Sequence, residues 1–221
     1  MTTVAQTLDN LYTRCMNCAN TVALCPGVWK NIASGIPPRG FFFKVAPVQL
    51  LVVAKNPGHP LKGKKDERKL YRGRTGGDLF RAYRDYQQKL YPDPGQVREP
   101  SIRFHKTLFR YISYFLDIPP TDIYLHAAHT NLVKCSTRNE QSRLKQKTME
   151  QCYAQYFLAE LDLLRPKVLL ALGREVERFL VERQSDHGLP VVYIKHPSYR
   201  YRREDEARIL GGIKQQIVVH L

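Results

Sequence analysis

Short apolar runs alternating with stretches of helical periodicity constrain this fold more than any other feature. Val48–Ala54 (VQLLVVA) is continuous, apolar and brief, and it ends at Asn56-Pro57-Gly58. Such a run reads as a strand buried on both faces and running into a turn. Val168–Leu172 and Val191–Ile194 repeat the pattern, and Ile123–Leu132 reads as a further strand leaving a polar turn. Between them the spacing predicts helices over Gly76–Leu90, over Ser101–Leu116 before Pro119-Pro120, and over Met149–Arg165 before Pro166. A further helix follows Gly173 through Arg183, and an amphipathic one spans Arg203–His220. Strand and helix in alternation predict an α/β fold, a three-layer α/β/α sandwich around a central, mostly parallel four-stranded sheet. Ligands of such folds lie beyond the carboxyl ends of the strands. Here those ends carry Asn56-Pro57-Gly58, Thr130-Asn131 and His196-Pro197, three polar loops expected to converge at one rim.

The chain of 221 residues is expected to form a single domain over 1–221, with an N-terminal helix at about residues 4–24. It shows no internal repeat and no low-complexity tract. Lys62–Arg74 is a basic, glycine-containing loop, and Pro92–Pro100 is a second loop. Thirty-five Lys and Arg against twenty Asp and Glu leave a net charge of +15. An excess of that size attracts a polyanion, nucleic acid foremost; a basic surface kept for solubility is the plainer alternative. No apolar run approaches the roughly 20 residues of a membrane span. The polar, acidic start MTTVAQTLDN lacks the pattern of a secretory signal, so a cytoplasmic monomer is expected.

Five cysteines in a reducing compartment read as metal ligands, a nucleophile or core residues rather than disulfides. Cys15 and Cys18 form a C-x-x-C; Cys135 and Cys152 stand apart. The set could hold zinc or an iron–sulfur cluster, although a zinc ribbon would want a second close pair. Cys25 fits neither arrangement and reads as a buried or spare thiol.

Several segments, taken in order, resemble a known family. Tyr124–Cys135, YLHAAHTNLVKC, is similar to the TN(V/L)VKC block of the family-four iron–sulfur uracil-DNA glycosylases. Arg165–Gly173, RPKVLLALG, resembles a strand of that family nearly residue for residue, and Leu70–Gly76, LYRGRTG, is similar to its PFVGRAG. His196-Pro197-Ser198 resembles its HPS/HPA motif, and Pro57-Gly58 the end of its first motif. The resemblance runs from about Val48 to Arg202. It implies a DNA glycosylase that flips a uracil or modified pyrimidine out of DNA and hydrolyses its bond to the sugar. It also implies a structural [4Fe–4S] cluster on Cys15, Cys18, Cys135 and Cys152.

The chemistry needs donors aimed at the departing base and a water held against the sugar carbon. By resemblance, His196 donates to the carbonyl oxygen of the leaving pyrimidine, and Asn56 positions the water. Asn56 departs from family four, which has Glu-Ala before Pro-Gly; Asn-Pro-Gly resembles the mismatch-specific and single-strand-selective branches instead. An amide orients water without taking its proton, which places the burden on leaving-group stabilisation. Asn131 offers donor and acceptor to a Watson–Crick edge, and Tyr71 stands where the family stacks an aromatic ring on the flipped base. With Pro57 and Gly58 these form the expected base site. Gly73 and Gly76 would let backbone approach phosphate. Lys62, Lys64, Lys65, Arg72 and Arg74 would contact phosphates without reading sequence, or form a solvated face. Ser198, Tyr199 and Arg200, continuing to Tyr201, Arg202 and Arg203, would contact DNA, with the tail as a wedge into the gap left by the flipped base. His59, His126 and His129 are expected to be structural. Two other readings remain: a defence glycosylase excising a bulky base, such as glucosylated hydroxymethylcytosine, from bacteriophage DNA, and a non-catalytic iron–sulfur DNA-binding module.

Overall fold

The computed structural model describes residues 10, 11, 14, 15, 18, 47–56, 103–135 and 144–221. Four strands form one parallel sheet: β1 (Leu50–Ala54), β2 (Ala127–Asn131), β3 (Val168–Leu172) and β4 (Val191–Ile194), in the order β2-β1-β3-β4. Leu50 stands opposite Val168 and Val53 opposite Ala171, while Leu169 to Leu172 run beside Val191 to Ile194. The described chain divides into two compact units. One holds residues 47–55, 103–130 and 164–221; the other holds residues 10–18, Asn56, 131–135 and 144–163.

In the first unit both faces of the sheet are dry. Helix α1 (Arg103–Leu116) presents Leu108, Tyr111, Ile112 and Phe115 at helical spacing, and helix α7 (Arg203–Val218) presents Leu210, Ile213 and Ile217. These side chains pack with Leu50 and Val52 of β1, Leu170 of β3, and Val192 and Ile194 of β4 in one core. The intervening residues Leu51, Val53, Leu169 and Ala171 are equally buried and point the other way. Helix α5 (Arg174–Val181) packs against β3 and β4 with Val176, Phe179 and Leu180. A fully buried phenylalanine such as Phe115 contributes about 1.5–3 kcal/mol by leaving water, so the apolar runs, not their charged flanks, hold the sheet together. An ion pair joining α1 to α7, Arg110 Nη2 to Glu206 Oε1 at 2.6 Å, is largely exposed and adds little.

Several predicted boundaries move: the first strand starts at Leu50 rather than Val48, and the helix expected from Met149 starts at Gln146. The strand expected over Ile123–Leu132 begins as helix: a short 3-10 turn, Pro120–Asp122, runs into α2 (Ile123–His126), and β2 starts only at Ala127. The Ala127 amide donates to the Ile123 carbonyl, closing that turn; Pro119 and Pro120 had already set the chain turning, and local hydrogen bonding overrides β-branched propensity. The helix expected through Arg183 ends at Val181, and a separate turn of helix, α6 (Gln184–His187), closes on Gly188 at φ 67. The helix expected over Gly76–Leu90 and the loop Pro92–Pro100 lie outside the described residues.

In the second unit, α3 (Gln146–Cys152), a π-helical turn (Tyr153–Phe157) and α4 (Leu158–Leu164) form one continuous rod. The π turn shows as a Leu158 amide donating to the Tyr153 carbonyl, five residues back. It puts Cys152, Tyr153, Tyr156 and Phe157 on the buried side, with the Tyr153 and Phe157 rings stacked 5.6 Å apart. Residues 10, 11, 14, 15 and 18 are helical, and the Tyr156 hydroxyl donates to the Arg14 carbonyl at 3.4 Å.

Candidate active site and cysteine centre

Beyond β4 the chain makes a tight turn, His196-Pro197-Ser198-Tyr199, in which the Tyr199 amide donates to the His196 carbonyl at 2.8 Å. Proline in the second position fixes φ for such a turn. The Ser198 amide donates to His196 Nδ1 at 3.2 Å. A ring nitrogen that accepts carries no proton, so in the neutral imidazole the proton sits on Nε2. The Phe104 ring, on α1, lies 5.1 Å from the His196 ring at 37°. His196 reaches the surface, yet the protein packed around its ring withholds enough water to lower its pKa from the ordinary value. The result is a neutral imidazole, held by its backbone, with an N–H to donate.

Phe104 also meets His129 at 5.8 Å and His105 at 4.9 Å, so three imidazoles surround one phenyl ring. His129 is buried on β2, in keeping with the structural role expected of it, and His126 ends α2. Phe104 carried no mark in the sequence beyond its place on the apolar face of α1. Gly173, at the end of β3, adopts φ 98 and ψ 151 and donates its amide to the Ile194 carbonyl at 2.8 Å. That conformation is essentially confined to glycine.

Just before the turn, Lys195 Nζ sits 3.9 Å from the centre of the Tyr199 ring, and a hydrogen bond with Tyr199 raises the lysine pKa. Ser198, Tyr199 and Arg200 are exposed. Tyr201 differs from the expected wedge. Its ring packs against the core and its hydroxyl accepts the Lys195 amide at 3.2 Å. Arg203 opens α7.

In the second unit, Asn131 closes β2 and is 4% exposed, and Asn56 follows β1 by two residues, half-buried. Lys55, just before it, pairs with Glu175 at 2.8 Å within the first unit. Pro57, Gly58, His59, Lys62, Lys64, Lys65, Tyr71, Arg72, Gly73, Arg74, Gly76 and Cys25 lie outside the described residues.

Cys15, Cys18, Cys135 and Cys152 form no disulfide. Cys15 and Cys152 are buried, and the four thiols sense one another. Burial above all raises the Cys15 pKa, with Glu160, Cys152 and Cys135 adding to the rise and Lys134 opposing it. Cys135 is likewise raised by burial, then by Cys152 and Cys18. Tyr156 is raised by burial, by a hydrogen bond with Cys18, and by the charges of Cys15, Cys18 and Cys152. Cys15 and Cys135, whose ionisation burial opposes, would need a positively charged group beside them to persist as thiolates. Among the described residues, no group of three or more His, Cys, Asp or Glu side chains is arranged to hold a metal ion.

Close beside Cys15 lies a feature the sequence had not disclosed. Lys134 and Glu160, 2% and 0% exposed, form an ion pair at 2.6 Å. The one available signal was the helical spacing Cys152, Tyr156, Glu160, which puts Glu160 on the buried side of its helix.

A parallel sheet covered by helices, with a hydrogen-bonded histidine after its last strand, defines an α/β protein built to bind at its strand ends. The chain matches the uracil DNA glycosylase superfamily over residues 42–213, and it belongs to that superfamily. Membership makes DNA its substrate class and base excision its class of reaction. No curated protein matches the chain. Among the described residues, no helix is long and apolar enough to cross a membrane.

Proposed function

We propose that the chain is a monofunctional DNA glycosylase that extrudes a uracil or other modified pyrimidine from DNA and hydrolyses its N-glycosidic bond, leaving an abasic site. One observation carries the reading: the Ser198 amide occupies Nδ1 of His196 and leaves the Nε2 proton to donate. Cleavage gives an oxocarbenium-like sugar and an anionic base. A neutral donor at the pyrimidine carbonyl stabilises that anion as it forms, and one such donor is typically worth about 2.7–4 kcal/mol.

Extruding the base costs a few kcal/mol. Tyr71 stacks on it, Asn131 reads its Watson–Crick edge and Asn56 orients the water that attacks the sugar carbon. Pro57 and Gly58 complete the base site. Lys62, Lys64, Lys65, Arg72 and Arg74 neutralise phosphates, and Ser198, Tyr199 and Arg200 contact the strand beside the flipped nucleotide. The protein acts as a monomer in the cytoplasm.

Cys15, Cys18, Cys135 and Cys152 would hold a [4Fe–4S] cluster, with zinc as the alternative; the influence of these thiols on one another supports their lying close together. When bound, the cluster supplies structure, since hydrolysis moves no electrons. The cysteines themselves tie the N-terminal helical residues to the rod that begins with α3.

The test is incubation with oligonucleotides carrying uracil, other modified pyrimidines or glucosylated hydroxymethylcytosine, followed by alkali. Scission with one substrate that vanishes in His196→Ala is expected. Scission only at the glucosylated base would move the role to phage defence. Binding without scission on every substrate would reduce the chain to a DNA-binding module.

A further inference from the structure

The ammonium of Lys134 donates to the Asn131 carbonyl and to Glu160 Oε2, each at 2.6 Å, and lies 5.8 Å from the centre of the Phe157 ring. Burying two charges to make one pair is rarely the way to stabilise a core, because the desolvation cost rivals the attraction. Apolar side chains of similar volume would pack there as well. What they could not do is bond to Asn131. Lys134 reaches back three residues to that carbonyl, fixing the peptide at the end of β2 and with it the direction in which the Asn131 side chain leaves the backbone. Glu160, on the facing helix, anchors the ammonium from the other side.

We infer that Lys134, anchored by Glu160, is a positioning residue that holds Asn131 in its base-reading orientation and so sets discrimination between uracil and cytosine. The inference rests on the proposed role of Asn131. A shift of the Asn131 backbone would swing its side-chain amide off the Watson–Crick edge, where the two bases differ in donor and acceptor. Lys134 therefore acts on selectivity more than on rate.

The experiment compares Glu160→Gln, which keeps the lysine and its bond to Asn131, with Lys134→Met/Glu160→Gln, which removes the bond and leaves no orphaned carboxylate. Each is assayed for excision of uracil and cytosine, and for binding to oligonucleotides carrying the non-hydrolysable 2′-fluoro analogues of both deoxynucleosides. Iron content is matched among the preparations. The double variant is expected to lose about 10-fold of the uracil-over-cytosine preference, the scale of one hydrogen bond to a charged group, in excision and in binding alike. Glu160→Gln is expected to retain the preference within about twofold of wild type. Equal preference in the two variants, or loss of rate on both bases in the same proportion, would overturn the inference. Wild-type protein that distinguishes the analogues but excises neither base would sink the catalytic reading and leave this one standing. Wild type that does neither would sink both.

Discussion

Replacing His196 by alanine tests the proposed leaving-group donor, and the surroundings of the ring set the expected pH dependence. The imidazole accepts the Ser198 amide at Nδ1, so the species the proposed donor role requires is the neutral ring, with its proton on Nε2. Burial lowers the His196 pKa from its ordinary value of about 6.5, which keeps that species dominant at neutral pH. Protonation would fill Nδ1 and break the Ser198 contact. The rate constant for base release under single-turnover conditions should therefore stay level from neutral to mildly alkaline pH. It should fall as pH drops through the lowered histidine value, below the range where a free imidazole titrates. His196→Ala should lose roughly 10²–10³-fold in that rate constant, the cost of one donor to a developing anion, and should lose the acid limb. DNA affinity should change far less, because phosphate contacts dominate it. Activity that falls as pH rises through 6.5 would mean an imidazolium donor. An alanine variant within about threefold of wild type would mean no donor at this position.

Three further substitutions probe the fold and the cysteine centre. Gly173→Ala should cost on the order of 1–3 kcal/mol in denaturant titrations, since its φ of 98 is strained for any side chain; no atom stands within 4 Å of the added methyl, so the loss is conformational and serine should cost the same. Phe115→Ala, at a fully buried position of the α1 core, should destabilise by about 3–5 kcal/mol, and a loss under 1 kcal/mol would contradict the packing described. Cys152→Ser should lower the iron and acid-labile sulfide of freshly purified protein and its visible absorbance; full retention would exclude this thiol as a ligand.

Much of the fold was legible because burial on both faces leaves a plain mark. Val168–Leu172 and Val191–Ile194 are strands with the predicted bounds, since runs so apolar and so short have few other uses in an α/β chain. Ile123 to His126 misled, because isoleucine, tyrosine and leucine suit a strand while the preceding prolines wind the chain into a helical turn. The four cysteines could be grouped by family resemblance, and their electrostatic coupling supports the grouping. Phe104 against His196 could not be foreseen, for it depends on how α1 lies over the strand ends. Nor could Lys134 and Glu160: charged residues belong outside by default, and a pair separated by twenty-six residues becomes visible only once the chain has folded.

Mass spectrometry of the small molecules released from uracil-containing DNA and from glucosylated phage DNA tests the central claim most directly. A single free pyrimidine base, appearing together with an equal number of abasic sites and absent with His196→Ala, is the predicted outcome. DNA that is bound by the iron-loaded protein yet returned with every base in place would contradict it.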